Sequence, residues 1–159
     1  MVSPSEWGPN AWNLLHGIAE RIGSSRIMTI MKDEKNEIRL TLRNFGSLLP
    51  CKTCQNHYRE WLHKHPPEIF LKEFGDDLRD GMRMWIWQLH ENVNNTRDVV
   101  SGITYESLRE IYGSNINIRE CALELKTMYS KGVQYRVINS EDWKKAWRHL
   151  DLLLRFIGV

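Results

Sequence analysis

Apolar residues recur at helical spacing along most of the chain, and no stretch alternates apolar and polar residues as a strand does. The clearest run lies near the C-terminus, at Trp143, Ala146, Trp147, Leu150, Leu153, Leu154 and Ile157. This periodicity predicts an all-α protein: a four-helix bundle, a short fifth helix over residues 105–112 and a C-terminal helical extension.

Prolines and polar runs predict where the helices begin and end. We expect Pro9 to open the first helix, a polar loop over residues 32–36 to precede the second, and Pro50 to stop it. The third helix should end before Pro66, and residues 74–76 should open the longest helix.

The C-terminal part of the chain has its own helical pattern. A modest apolar stripe over residues 118–128 is followed by an irregular or extended piece over residues 133–138, and Ser140 is the expected cap of the last helix. The apolar face of that helix is too large to be left in water. It either packs back on its own bundle or builds a dimer.

Composition excludes several classes of protein. The chain has 159 residues, 42% of them hydrophobic and 26% charged, which is typical of a soluble globular domain rather than a disordered segment. A net charge of +2 does not indicate a nucleic-acid-binding protein. No apolar run approaches the length of a membrane span, and no secretion signal is visible, so we expect a cytoplasmic protein.

Two of the three cysteines form a C-x-x-C motif, Cys51 and Cys54, directly after Pro50. A helix that begins here would favour a thiolate, because unpaired N–H groups and the helix dipole stabilise negative charge. The motif is typical of a redox pair, but also of half a zinc site. His57 would be the third zinc ligand, with a fourth from His63, His65 or His90.

Two alternatives to a redox function therefore stay open. The first is a helical interaction module stapled by zinc, and the second is a catalytically silent adaptor that binds a partner through Trp143 and Trp147. The third cysteine, Cys121, lies on an apolar stripe and is expected to be a small buried hydrophobic residue.

Three separated motifs, in order and at matching spacing, resemble those of the Erv/ALR sulfhydryl oxidases. Residues 7–16 are similar to the first-helix pattern W-G-x-x-x-W-x-x-L-H, residues 49–57 to the start of the active-site helix, and residues 89–94 to the flavin-binding H-N-x-V-N. The resemblance covers residues 6–113, and the motifs are most like the versions carried by large cytoplasmic DNA viruses. It implies an oxidase domain over residues 1–113 and a C-terminal helical extension over residues 114–159.

The resemblance also implies an activity. Members of this family fold as a four-helix bundle around non-covalently bound FAD, oxidise protein dithiols to disulfides and pass the electrons to molecular oxygen, giving hydrogen peroxide. A small dithiol protein of the thioredoxin-like kind is the expected substrate. A homodimer through the faces of the first and second helices is the expected assembly, and a viral member would act in the host cytoplasm or the virion.

Site residues follow from the same resemblance. Cys54 would lie beside the flavin ring, and Cys51 would receive the substrate thiol. The cofactor-binding residues would be Trp7, Gly8, Trp12, His16, His57, Trp87, His90, Val93, Asn94, Arg97 and Tyr112, with no metal ligand.

The chain departs from the family pattern at three of its positions. Glu91 stands where the flavin-binding motif has its first asparagine, and Trp87 stands where the cellular enzymes carry a cysteine. The basic residues that usually meet the pyrophosphate are missing, with Arg97 as the nearest substitute.

Overall fold

The computed structural model describes residues 3–159, and they form eight α-helices and no strand. The helices are α1 (Pro4–Arg21), α2 (Met28–Asn44), α3 (Lys52–Lys64), α4 (Pro67–Glu73), α5 (Leu78–Thr96), α6 (Leu108–Tyr112), α7 (Ile118–Gln134) and α8 (Ser140–Phe156). Short 3-10 turns at Phe45–Leu48 and Tyr105–Ser107 follow α2 and precede α6. The prediction of an all-α protein is confirmed.

The first helix begins earlier than predicted. It opens at Pro4, and the carboxylate of Glu6 accepts a hydrogen bond from the backbone N–H of Ser3 at 2.6 Å. Pro9 therefore lies inside α1 instead of opening it. Pro9 lacks the N–H that would bond to the carbonyl of Ser5, but both residues are exposed, so water can bond to that carbonyl instead.

The predicted polar loop over residues 32–36 is wrong, since these residues are helical within α2. Glu34 explains the difference. Its side chain is buried and accepts a hydrogen bond from the backbone N–H of Gly23 at 2.7 Å. This bond joins α2 to the chain just beyond α1. Burial raises the pKa of the Glu34 carboxyl, against the lowering effects of this bond and of Arg79.

Other boundaries agree more closely with the expectations. α3 ends at Lys64, before the two prolines as predicted, but the short helix α4 that follows was not predicted. The longest helix, α5, begins just after residues 74–76. Asn139, not Ser140, caps α8, because its side chain accepts from the N–H groups of Glu141 and Asp142.

The C-terminal extension packs back on the bundle of its own chain. α7 lies against α1, and α8 lies against α2. Leu125 of α7 and Leu150 of α8 are fully buried, in the same hydrophobic cluster as Leu14 of α1 and Ile38 of α2. The expectation that the last helix covers its own bundle is confirmed, and the division at residue 113 stays a prediction.

Polar contacts add to the attachment of α8. The Thr41 hydroxyl donates to the backbone carbonyl of His149 at 3.1 Å, and the His149 ring lies 3.0 Å from a carboxylate oxygen of Glu37.

Among the described residues, no helix is both long and apolar enough to cross a membrane.

Replacing Leu150 by alanine tests whether α7 and α8 share one hydrophobic core with the rest of the bundle. The side chain is fully buried, so the substitution should lower the unfolding free energy of the whole chain by about 2–5 kcal/mol. Urea unfolding followed by circular dichroism should show one transition at lower denaturant. Leu123→Ala is the control, because Leu123 is 59% exposed. An early partial transition, with the main one unchanged, would show that α7 and α8 fold independently of the bundle.

Candidate redox site

The two cysteines of the motif lie at the start of α3. Cys51 is the N-cap, and its sulfur accepts a hydrogen bond from the backbone N–H of Cys54 at 3.2 Å. The cysteines form a disulfide with their Cα atoms 5.2 Å apart. The expected placement at a helix N-terminus is confirmed, and it puts both sulfurs where the first N–H groups of a helix stabilise negative charge.

A largely apolar cavity of about 480 Å³ lies beside the disulfide, and both cysteines line it. Its size falls within the range of roughly 300–1,000 Å³ that small-molecule and cofactor sites occupy. Side chains from α1, α3, α5 and the segment between α2 and α3 enclose it.

Six of the predicted cofactor-binding residues line this cavity. They are Trp7, Gly8, Trp12, His57, Val93 and Arg97. The structure therefore brings together residues from the three separated motifs around one cavity. This placement depends on the packing of α1 and α5 against each other, and the N-terminal part of α3 supplies the side of the cavity that holds the disulfide.

Three other predicted residues form an aromatic stack next to the cavity instead of lining it. The ring of His90 stacks on that of Trp12, with centroids 3.9 Å apart, and the ring of His16 stacks on Tyr112 at 4.3 Å. Nε2 of His16 and Nδ1 of His90 are 2.9 Å apart, so one ring donates a hydrogen bond to the other. Trp12 thus links the cavity to the stack.

Burial keeps both of these histidines neutral at physiological pH. It lowers the pKa of His16 to about 3, with the nearby His90 as a second cause. Burial also lowers the pKa of His90 to about 4, against the opposing effect of Glu91. A neutral pair offers hydrogen bonding and flat stacking surfaces without charge.

Two buried side-chain donors of predicted cofactor-binding residues have no hydrogen-bond partner in residues 3–159. They are the indole nitrogen of Trp7, which lines the cavity, and the amide nitrogen of Asn94, which is not among the lining residues. An unsatisfied buried donor costs on the order of 1–3 kcal/mol. A ligand with acceptor atoms would remove that cost, and Arg97 adds a cation to the cavity lining.

Trp87 does not line the cavity. Its indole N–H donates to the carbonyl of Ile103 at 3.1 Å, and its ring packs edge-on against Tyr105. The contacts shown for Trp87 hold the segment after α5, so its assignment to the cofactor stays a prediction.

Sequence reasoning missed part of the lining. Phe45, Leu49, Tyr58 and Leu89 contribute apolar surface to the cavity. The signal was present in part, since Phe45 and Leu49 fall on the apolar stripe at the end of the second helix. Their direction toward the cysteines comes from the 3-10 turn at Phe45–Leu48, which periodicity does not indicate.

The zinc alternative needs more ligands than the two cysteines. In the part of the chain that the structure describes, no group of three or more His, Cys, Asp or Glu side chains could hold a metal ion. The two sulfurs that would bind zinc are joined to each other. Cys121 is apart from this site and is buried on α7. Burial raises the pKa of its thiol, and the carboxylates of Glu124 and Glu120 raise it further.

The buried histidines predict acid sensitivity. In the unfolded chain both rings protonate near their ordinary pKa of about 6.5, whereas in the folded chain they do so only near 3 and 4. The unfolded state therefore binds more protons between about pH 6 and 4, and the unfolding free energy falls as the pH falls. His16→Phe, which keeps a flat ring, should reduce this slope by about 1.4 kcal/mol per pH unit in urea unfolding. Equal slopes in the two proteins would contradict the assignment.

Comparison with known proteins agrees with this arrangement. The model of the Erv1/Alr family matches residues 9–101. The mitochondrial FAD-linked sulfhydryl oxidase erv1 of Schizosaccharomyces pombe is 27% identical over 92 residues, which cover 57% of this chain and 44% of that protein. The match thus spans less than half of that relative's length. No solved structure gives a significant match. Because the family model covers more than half of the chain, including the disulfide and most of the cavity lining, the chain belongs to the Erv1/Alr family.

Proposed function

We propose that this protein is an FAD-linked thiol oxidase that forms disulfides in protein dithiols and passes the electrons to molecular oxygen. The observation that carries the proposal is the Cys51–Cys54 disulfide at the N-terminus of a helix, in the wall of an aromatic cavity of cofactor size. A disulfide in this position can exchange with substrate thiols on one side and lie against a flat cofactor on the other.

The exchange proceeds in two steps that balance. A substrate thiolate attacks the sulfur of Cys51, a substrate–Cys51 disulfide forms, and Cys54 leaves as a thiolate. The second substrate thiolate then attacks the substrate sulfur of that mixed disulfide and releases Cys51. The substrate gains a disulfide and loses two protons to solvent, and the cysteine pair carries the two electrons. The assignment of Cys51 as the attacked sulfur follows from the resemblance to the family.

The residues around the cavity fit FAD. Trp7, Trp12 and Val93 offer flat or apolar surface, and Arg97 suits a phosphate group. The unpartnered amide nitrogen of Asn94 is outside the cavity lining, and its assignment to the cofactor rests on the resemblance to the family. When bound, FAD would accept the electron pair of the reduced cysteines and reduce oxygen to hydrogen peroxide. The chain's own contribution is to orient the cofactor and to keep the neutral stack of His16 and His90 beside it.

The number of cysteines in the sequence indicates which kind of thiol substrate the protein would use. With Cys51 and Cys54 in the active pair, only the buried Cys121 is left, and a shuttle disulfide within one chain needs two cysteines. We therefore propose that a separate small dithiol protein docks directly at Cys51. The motif similarity supports a viral-type member that acts in host cytoplasm or virion.

A homodimer remains part of the proposal. α7 and α8 cover faces of α1 and α2, so a dimer built on those helices would use surface that the extension leaves exposed, such as Met28, which is 71% exposed. Light scattering of the purified protein distinguishes a dimer from a monomer.

Cysteine variants test the activity. With dithiothreitol or a reduced thioredoxin-like protein as substrate, Cys51→Ser and Cys54→Ser should each abolish oxygen consumption, because neither can form the active disulfide. Cys121→Ser is the matched control and should keep nearly the full rate. The Cys54→Ser protein should also displace thionitrobenzoate from a single-cysteine substrate activated as its thionitrobenzoate disulfide, and so retain a stable Cys51–substrate disulfide. Trapping in Cys51→Ser alone would reverse the assignment.

The flavin site has its own test. The purified protein should be yellow, and Asn94→Ala should weaken FAD binding about 5- to 100-fold, the loss expected for one buried hydrogen bond. Asn95→Ala, one position along α5 and exposed, is the control. Full flavin content in a folded Asn94→Ala protein would remove Asn94 from the site. A colourless protein with stoichiometric zinc would instead support the zinc-stapled interaction module.

A further inference from the structure

A second, polar cavity of about 270 Å³ lies beside the N-terminal half of α3. It is bounded by α3, by the 3-10 turn at Phe45–Leu48 and by residues 137–139, which connect α7 to α8. Lys52, the residue directly after Cys51, lines it, and Tyr58 lines both this groove and the aromatic cavity. We call it the polar groove. The disulfide thus lies near two cavities of different chemistry.

The C-terminal extension holds one wall of the polar groove in place. The side-chain N–H groups of Gln55 donate to the carbonyl of Leu49 at 2.7 Å and to the carbonyl of Val137 at 3.3 Å. At Gly132, an added Cβ would lie 2.9 Å from the Cβ of Pro50. The Gln55 amide and the close packing of Gly132 on Pro50 therefore join the segment before Cys51 to the C-terminal extension. The groove is preformed.

The charges that line the groove are unbalanced. Lys52 and Arg59 on α3 and Arg43 on α2 face it, and Asp142 on α8 supplies its single carboxylate among the described residues. Arg43 is already paired, since its guanidinium donates two hydrogen bonds to Glu68 at 3.0 and 2.6 Å.

The other two cations are exposed and free to bind. In residues 3–159, neither Lys52 nor Arg59 has a carboxylate within ion-pair distance. Within the described part of the chain, the side chain of Arg59 makes one hydrogen bond, to the Asn56 amide oxygen at 3.3 Å. The surface beside the reactive disulfide therefore carries positive charge that lacks a partner within the chain.

We propose that the polar groove is the substrate-docking surface of this oxidase, and that it binds an acidic segment next to the substrate protein's cysteine pair. This rests on the proposed function. Arg59 lies seven positions after Lys52 on the helix, a rise of about 10 Å, which about three extended residues span. A substrate whose cysteine reaches Cys51 would thus place acidic side chains a few residues away against both cations.

Binding is tested without turnover. A fluorescent peptide with serines in place of its two cysteines and an acidic flank is titrated with the full-length protein, and anisotropy gives the Kd. The same peptide with a basic flank should bind more weakly. Arg59→Glu should weaken binding of the acidic peptide by about 3- to 10-fold, the size expected for an exposed charge at the rim of an interface.

Two further variants keep the test sharp. Lys64→Glu makes the same charge change at an exposed position of α3 outside the groove and should leave Kd nearly unchanged. Asp142→Asn removes the groove's carboxylate and should tighten binding about twofold, a gain that partial unfolding cannot produce. Equal weakening by Arg59→Glu and Lys64→Glu, or equal Kd for the two peptides, would overturn the proposal. So would displacement of the acidic peptide by an oligonucleotide of equal charge at the same concentration.

Measurements of turnover and KM distinguish a failure of the docking surface from a failure of the proposed oxidase function. If the flavin-loaded protein oxidises dithiothreitol but shows the same KM for acidic and basic dithiol peptides, the docking surface is wrong and the oxidase stands. If it oxidises no dithiol while the serine peptides still bind with the expected preference, the oxidase is wrong and the groove stands as an acidic-peptide site.

Discussion

Burial of α1 on two sides is the constraint on which the rest of the structure depends. Leu14 and Ile18 are fully buried, with α5 against one side of the helix and α7 against the other. Once those contacts form, the same helix presents Trp7 and Trp12 to the aromatic cavity and His16 to the stack with His90. The hydrophobic effect that stabilises the core thus also determines where the site residues lie.

The N-terminus of α3 then combines two environments at one disulfide. On one side, Cys51 and Cys54 line a largely apolar cavity with Trp7 and Trp12, and the neutral pair of His16 and His90 stacks next to it. On the other side, Lys52 begins a cationic surface that is open to solvent. Tyr58 lines both cavities, so the two environments meet along α3.

The C-terminal extension takes part in this arrangement. α8 packs on α2, and the turn before it meets the segment that precedes Cys51 through Gln55 and Gly132. The extension therefore shares the core and also forms a wall of the polar groove, so the environment of the redox pair includes residues far beyond the region that the family model matches.

The sequence by itself determined the parts that depend on local rules. Apolar spacing predicted the main helices, and Pro50 predicted a helix start at the cysteine pair, whose spacing alone left a redox pair and half a zinc site open. The resemblance to one family indicated six of the cofactor-binding residues that line one cavity. Tertiary structure decided what depends on distant partners. Glu34 lies in a polar run that the sequence alone indicates as a loop. In the folded chain its carboxylate is buried against the backbone N–H of Gly23, just beyond α1. His16 and His90 meet across 74 positions, and Gln55 reaches Val137 across 82. Periodicity reports which face of a helix is apolar, but not which helix will cover it, because that choice is made by the packing of the whole core.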